Sequence, residues 1–250
     1  MKPNFWIMTI LAVLVLGISK SGFGGGPGVV SNPMVAMVSD GSTAVAVMLP
    51  LMILCDFFCV WKYRKGCVWS LVFRLLGGFV VGTVLATILM IWVPGQQIWI
   101  KRVIGGLAIF FSLCYFLLLR DKAKIEKHIP QNAWFGCVMG VVAGICSTLA
   151  AAAGPPVQMY LLSQARTQDK EKHMGTISVY ALIGNCLKIP AYLLSGAMTK
   201  VTLGITLPLV VVIPIGLALG MLVNNKLSTK MFNDVINILL IPIGIFLLLV

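Results

Sequence analysis

The sequence predicts an all-α polytopic membrane protein made of two inverted-topology repeats, each a broken, re-entrant helical hairpin followed by three transmembrane helices. Three observations carry this expectation. The composition lies outside the soluble range, the apolar runs approach 20 residues, and a small-residue break ending in proline occurs once in each half. Of the 250 residues 59% are hydrophobic and 10% charged, with a mean hydropathy of +1.01. That leaves too little polar sequence to cover a soluble surface. Backbone groups in lipid must pair internally, so the runs are helices. A transmembrane barrel would alternate every second residue, and these runs do not.

The net charge of +12 does not point to nucleic acid, because the basic residues sit in short loops between apolar runs, where the positive-inside rule accounts for them. Cys55, Cys59, Cys67, Cys114, Cys137, Cys146 and Cys186 make no Cys-x-x-Cys pair and behave as small hydrophobes. His128 and His173 stand far from other ligand types, so no metal and no cofactor is expected. Gly22-Phe23-Gly24-Gly25-Gly26-Pro27 puts proline where a dinucleotide fingerprint needs glycine. Lys2, the run Phe5 to Leu16 and the small residues Gly17 and Ser19 imitate a signal peptide. The next residues, however, have a partner in the second half, so the N-terminal stretch is expected to belong to the fold.

Taken in order, Asn4 to Val38 is too short for two full spans and a turn, which need roughly 40 residues plus a loop. Two incomplete helices with a tip at Lys20 to Gly26 fit instead. A span from Thr43 to Trp61 contains Asp56 and ends at the basic loop Lys62 to Lys65. Val68 to Val93 and a span from Lys101 to Arg120 follow, closing a first repeat over 1–120. The charged linker 121–130 leads to a second repeat over 131–250. There, Ala133 to Ser163 is broken at Ala152-Ala153-Gly154-Pro155-Pro156. Gly175 to Leu194 holds Asn185 and Lys188, and Thr202 to Val223 and Val235 to Val250 read as two more spans.

Gly26-Pro27 aligns with Gly154-Pro155 at an offset of 128 residues, with Asp56 near Asn185 and Gly78 and Gly82 near Gly216 and Gly220. A weak but ordered match of this kind is the mark of an internally duplicated transporter. Basic loops at Lys62 to Lys65, Arg120 to Lys127, Arg166 to Lys172 and Lys226 to Lys230 are expected in the cytoplasm. This orientation inverts the halves and puts both chain ends outside; Lys101 and Arg102 are the misfit.

Proline is favoured in the first turn of a helix, where its missing N–H would be unpaired anyway. Pro27 and Pro155 therefore mark half-helix starts whose free N–H groups and dipoles favour an anion. Gly24, Gly25, Gly26 and Gly28, with Ala153 and Gly154, leave the backbone approachable. Ser21, Asn32, Ser147, Thr148 and Gln158 are candidate donors, and Lys20 is a full countercharge. Close helix packing is the alternative reading of the small residues. Asp56 carries a proton or pairs with Lys20 or Lys188; Asn185 is its repeat partner, and Lys188 alternatively snorkels.

On these features the chain resembles the sulfite exporter TauE/SafE family, the toluene sulfonate uptake permeases. The resemblance rests on its length, its two halves and the motif Gly22-Phe23-Gly24-Gly25-Gly26-Pro27, repeated as Ala152-Ala153-Gly154-Pro155. It implies a multi-pass carrier of the bacterial inner membrane that moves sulfite, thiosulfate, sulfoacetate or another organosulfonate. The expected mechanism is alternating access, with partners limited to a small anion, the lipid bilayer and, as an open case, a second copy in a homodimer. A passive anion channel would need a continuous polar path, and a membrane-embedded enzyme or subunit a constellation beyond Lys20 and Asp56. Both stay as alternatives to a carrier that is not an enzyme.

Overall fold

A computed structural model describes residues 3–23, 29–93, 96–120, 129–224 and 229–250. Among them every regular element is helical. Among the described residues seven helices are long and apolar enough to cross a membrane, or eight if a bent pair is taken as one span.

The first half contains α1 (Pro3–Phe23), the short α2 (Ser31–Ala36), α3 (Gly41–Tyr63), α4 (Trp69–Trp92) and α5 (Gln96–Cys114), which ends in a π turn over Tyr115–Leu119. The second contains α6 (Ala133–Ala150), α7 (Gly154–Ser163), α8 (Lys170–Leu194), α9 (Lys200–Leu209), α10 (Val212–Asn224) and α11 (Thr229–Leu249). Polar side chains fix several starts. Asp40 caps α3 by accepting from Thr43 N at 3.0 Å, and Asn132 caps α6 by accepting from Phe135 N at 2.8 Å. Thr199 and Thr202 close a capping box on α9.

Two expectations need correcting. The hairpins are lopsided: with 21 residues α1 is about 31 Å long at 1.5 Å per residue, long enough to cross, and α6 has 18. Only the returning arms, α2 and α7, are short. Lys20 thus sits in the last turn of a continuous helix. The run Thr202 to Val223 is not one continuous helix but two helices bent by 49°. Pro214 supplies no N–H to the carbonyl of Val210, which instead takes Ile213 N at 3.1 Å. Pro214 then falls in the first turn of α10, and Pro208 loosens the end of α9.

Packing between the halves is reciprocal. The helix that opens each half lies on the later span of the other, α1 on α10 and α6 on α4, while α3 faces α8 and α5 faces α11. Exchanging the halves leaves this set of pairs unchanged, as a twofold relation between them requires. Glycines permit the two close crossings. A methyl added at Gly78 or Gly82 would collide with the carbonyl oxygens of Cys137 or Val141 on α6. At Gly17 it would lie 2.8 Å from the Cα of Gly216. Without a hydrophobic drive between helices in lipid, such backbone contact is what holds them.

Candidate functional site

The last turn of α1 brings Lys20 against α3, where its ammonium pairs with Oδ1 of Asp56. Asn185, on the facing α8, donates through Nδ2 to the other carboxylate oxygen at 2.6 Å. One turn further along α8, Lys188 Nζ donates to the carbonyl of Ser147 at 3.4 Å, near the end of α6. Lys20, Asp56 and Lys188 are 9%, 1% and 1% exposed. The buried cluster therefore holds two lysine side chains and one carboxylate. In a low-dielectric interior a second charged lysine beside the ion pair is costly unless it gives up its proton or something negative joins it. The carbonyl end of α6 answers Lys188 only in part.

Beside the ion pair lies a cavity of about 60 Å3. Counting ~10–15 Å3 of free centre volume per water, it holds roughly four to six water-sized groups. Lys20, Asp56 and Asn185 line one side, Ser147, Ala151, Ala153 and Gly154 another. The second side is the break between α6 and α7. Ala151 ends α6 in the left-handed region, at φ 53° and ψ 31°. The N–H groups of Ala151 and Ala152 turn back to the carbonyls of Ser147 and Cys146. α7 then starts with Pro155 and Pro156 in its first turn and no side-chain cap, so its positive end faces the cavity that Gly154 lines.

Of the residues the sequence singles out, Lys20, Asp56, Asn185, Ser147, Ala153 and Gly154 converge on this cavity. Ser21 does not: its hydroxyl donates to Gly17 and Leu217 carbonyls, both at 2.9 Å, and ties α1 to α10. Asn32 donates to the carbonyl of Ala150 at 2.9 Å and joins the two hairpins. Thr148 offers its carbonyl to the Tyr192 hydroxyl at 2.8 Å. Gln158 lines a larger neighbouring cavity, and Lys188 stands behind the wall rather than in it. Gly24, Gly25, Gly26 and Gly28, with Pro27, lie outside the described residues.

The structure adds Cys59, Phe79, Ser178 and Tyr180 to the lining. One signal for them was in the chain: Ser178, Ala181, Asn185 and Lys188 follow each other at three- and four-residue steps, a single polar and small face down an apolar span. Phe79 comes from α4 and meets Tyr180 edge-on, with ring centroids 5.7 Å apart; no local pattern announces it. Among the described residues no three His, Cys, Asp or Glu side chains gather closely enough to hold a metal ion.

Comparison with known proteins agrees with this architecture. The family model described as Sulfite exporter TauE/SafE matches residues 9–247. Neither curated proteins nor solved structures gave a significant match. A match spanning both hairpins, the ion pair and all the long helices leaves one assignment: the chain belongs to the sulfite exporter TauE/SafE family, a family of transporters.

Proposed function

We propose that the protein is a secondary carrier for a small sulfur-containing anion, such as sulfite, thiosulfate, sulfoacetate or another organosulfonate. The observation that carries the reading is the buried cluster of two lysines and one carboxylate, in which Lys20 and Asp56 line a small cavity and Lys188 lies behind its wall. An anion with the size of a sulfite ion or a sulfonate head group supplies the missing negative charge. It sits against Lys20 and the start of α7, within reach of Ser147 and Asn185. The two halves, related as inverted repeats, rock around it to expose the cavity to one side and then the other. With the basic loops in the cytoplasm of a bacterial inner membrane, both chain ends are external.

Asp56 has a second part in this scheme. Bound to Lys20 in the absence of substrate, its carboxylate acts as an internal stand-in for the anion. Protonating it frees Lys20, which couples anion movement to a proton.

Uptake of labelled sulfite and sulfonates into proteoliposomes tests both statements. Lys20→Ala is expected to reduce saturable uptake at least tenfold; unchanged uptake rejects the site. Rates indifferent both to a pH gradient and to Asp56→Asn reject the coupling. Uptake that fails to saturate would favour a channel.

A further inference from the structure

The inner cavity is longer than a sulfite ion. Its lining runs on α8 from Ile177 to Asn185 and on α3 from Met52 to Cys59. At 1.5 Å per residue, Ser178 and Asn185 stand about 10 Å apart along α8. The two helices run antiparallel, with Asn185 bonded to Asp56 at 2.6 Å and Gly175 packed against Tyr63, so Ser178 marks the end toward Cys59. Four to six water-sized groups spaced about 2.8 Å apart fill such a length nearly in single file. Ala181, Gly184 and Phe79 line it between the two ends, and a methyl added at Gly184 would lie 3.1 Å from the tip of the Phe79 ring. The ends differ in charge. Lys20, Asp56 and Asn185 stand at one, whereas at the other Ser178, 4% exposed, supplies a hydroxyl. Among the described residues no group pairs with that hydroxyl. Other hydroxyls in these helices behave differently: Thr9, Ser21, Thr87, Thr176 and Thr206 each donate to the carbonyl four residues back. Burying a hydroxyl unbonded is unfavourable unless a ligand completes it.

We infer that Ser178 is a specificity-determining residue and that the cavity is a slot for a two-ended anion, with an acidic head at Lys20 and a short chain whose terminal hydroxyl or carbonyl meets the Ser178 hydroxyl. A sulfonate with a two-carbon chain and a terminal hydroxyl spans roughly 10 Å once a hydrogen bond of about 2.8 Å is counted at each end. That is the separation of Asn185 and Ser178 along α8. Sulfite fills only the head end. The inference rests on the reading that the transported anion binds at Lys20.

Calorimetric titration of the purified protein with sulfite, ethanesulfonate and 2-hydroxyethanesulfonate provides the test. Wild type is expected to bind 2-hydroxyethanesulfonate about three- to tenfold more tightly than ethanesulfonate, the ratio that one neutral hydrogen bond gives. Ser178→Ala should bring the two sulfonates to equal affinity. A ratio between two ligands on one protein does not move with a general loss of fold. Ala181→Leu, which fills the middle of the slot, should weaken both sulfonates about tenfold more than sulfite. Equal binding of the two sulfonates by wild type, a preference that survives Ser178→Ala, or equal weakening of all three anions by Ala181→Leu overturns the inference. Lys20→Met separates the two readings. Sulfite binding that is lost with Lys20, without a preference between the sulfonates in wild type, overturns the slot alone. Binding of all three anions that is indifferent to Lys20 rejects the inner site, and the slot with it.

Discussion

Lys20 of α1 and Asp56 of α3 form an ion pair across 36 residues of sequence, between helices that leave them 9% and 1% exposed. Breaking a buried pair from one side strands a charge, at about 3–5 kcal/mol, whereas replacing both partners with apolar groups is often neutral. Lys20→Met and Asp56→Leu are therefore each expected to lower the thermal midpoint in detergent sharply. The double variant should recover most of that loss while losing saturable uptake. Equal losses that simply add would mean the pair is not coupled.

The crossing of α4 and α6 makes a sharper packing prediction, because neighbouring glycines differ. A methyl at Gly78 meets the Cys137 carbonyl, whereas one at Gly77 meets nothing within 4 Å. Gly78→Ala should cost about 1–3 kcal/mol through overpacking. Gly77→Ala should be neutral or slightly stabilising, since alanine is the better helix former. Thermal unfolding of the two variants side by side checks the difference.

Ala151 holds a left-handed backbone at φ 53°, which costs a residue with a Cβ roughly 1–2 kcal/mol. Ala151→Gly should raise stability by about 1 kcal/mol, less what glycine gains in unfolded freedom. Pro at the same position should prevent folding. A fall in stability with glycine would mean that the methyl, which lines the cavity, is held by contacts stronger than the strain.

At the opposite end of the fold Asp40 caps α3. Burial alone would push its carboxyl up, but hydrogen bonds from the Thr43 and Ser42 side chains and from Thr43 N together hold it below the ordinary 3.8. A depressed carboxylate contributes stability that is present above the unfolded value and lost as pH falls through the folded one. Asp40→Ala should cost about 1 kcal/mol at neutral pH. The gap from wild type should stay constant down to about pH 5 and close below about pH 4.

The sequence made the helices legible, and it marked the residues that line the inner cavity, because each leaves a local mark: run length, a break ending in proline, a charge in an apolar span. Asp56 was open between Lys20 and Lys188; spacing along one helix does not say which neighbour reaches it, and only the approach of α1 to α3 selects Lys20. Ser21 and Asn32 read as ligand donors for the same reason. A hydroxyl or amide in a span looks alike whether it serves a ligand or a neighbouring carbonyl, and here the Ser21 hydroxyl and the Asn32 amide serve carbonyls. The bend after Leu209 was missed because Pro208 and Pro214 lie inside a run whose hydropathy never falls. Phe79 and Tyr180 reach the cavity only through tertiary packing.

The most direct measurement is the thermal shift that sulfite, thiosulfate and small sulfonates produce in purified wild type, Asp56→Asn and Lys20→Met. Ligand that binds only folded protein adds about 2.7 kcal/mol at a hundredfold excess over Kd. If the anion completes the buried charge count, the shift should be clear in wild type. It should be larger in Asp56→Asn, where Lys20 has lost its internal partner, and absent in Lys20→Met. Equal shifts in all three proteins, or none in wild type with any sulfur anion, would contradict an anion site at Lys20.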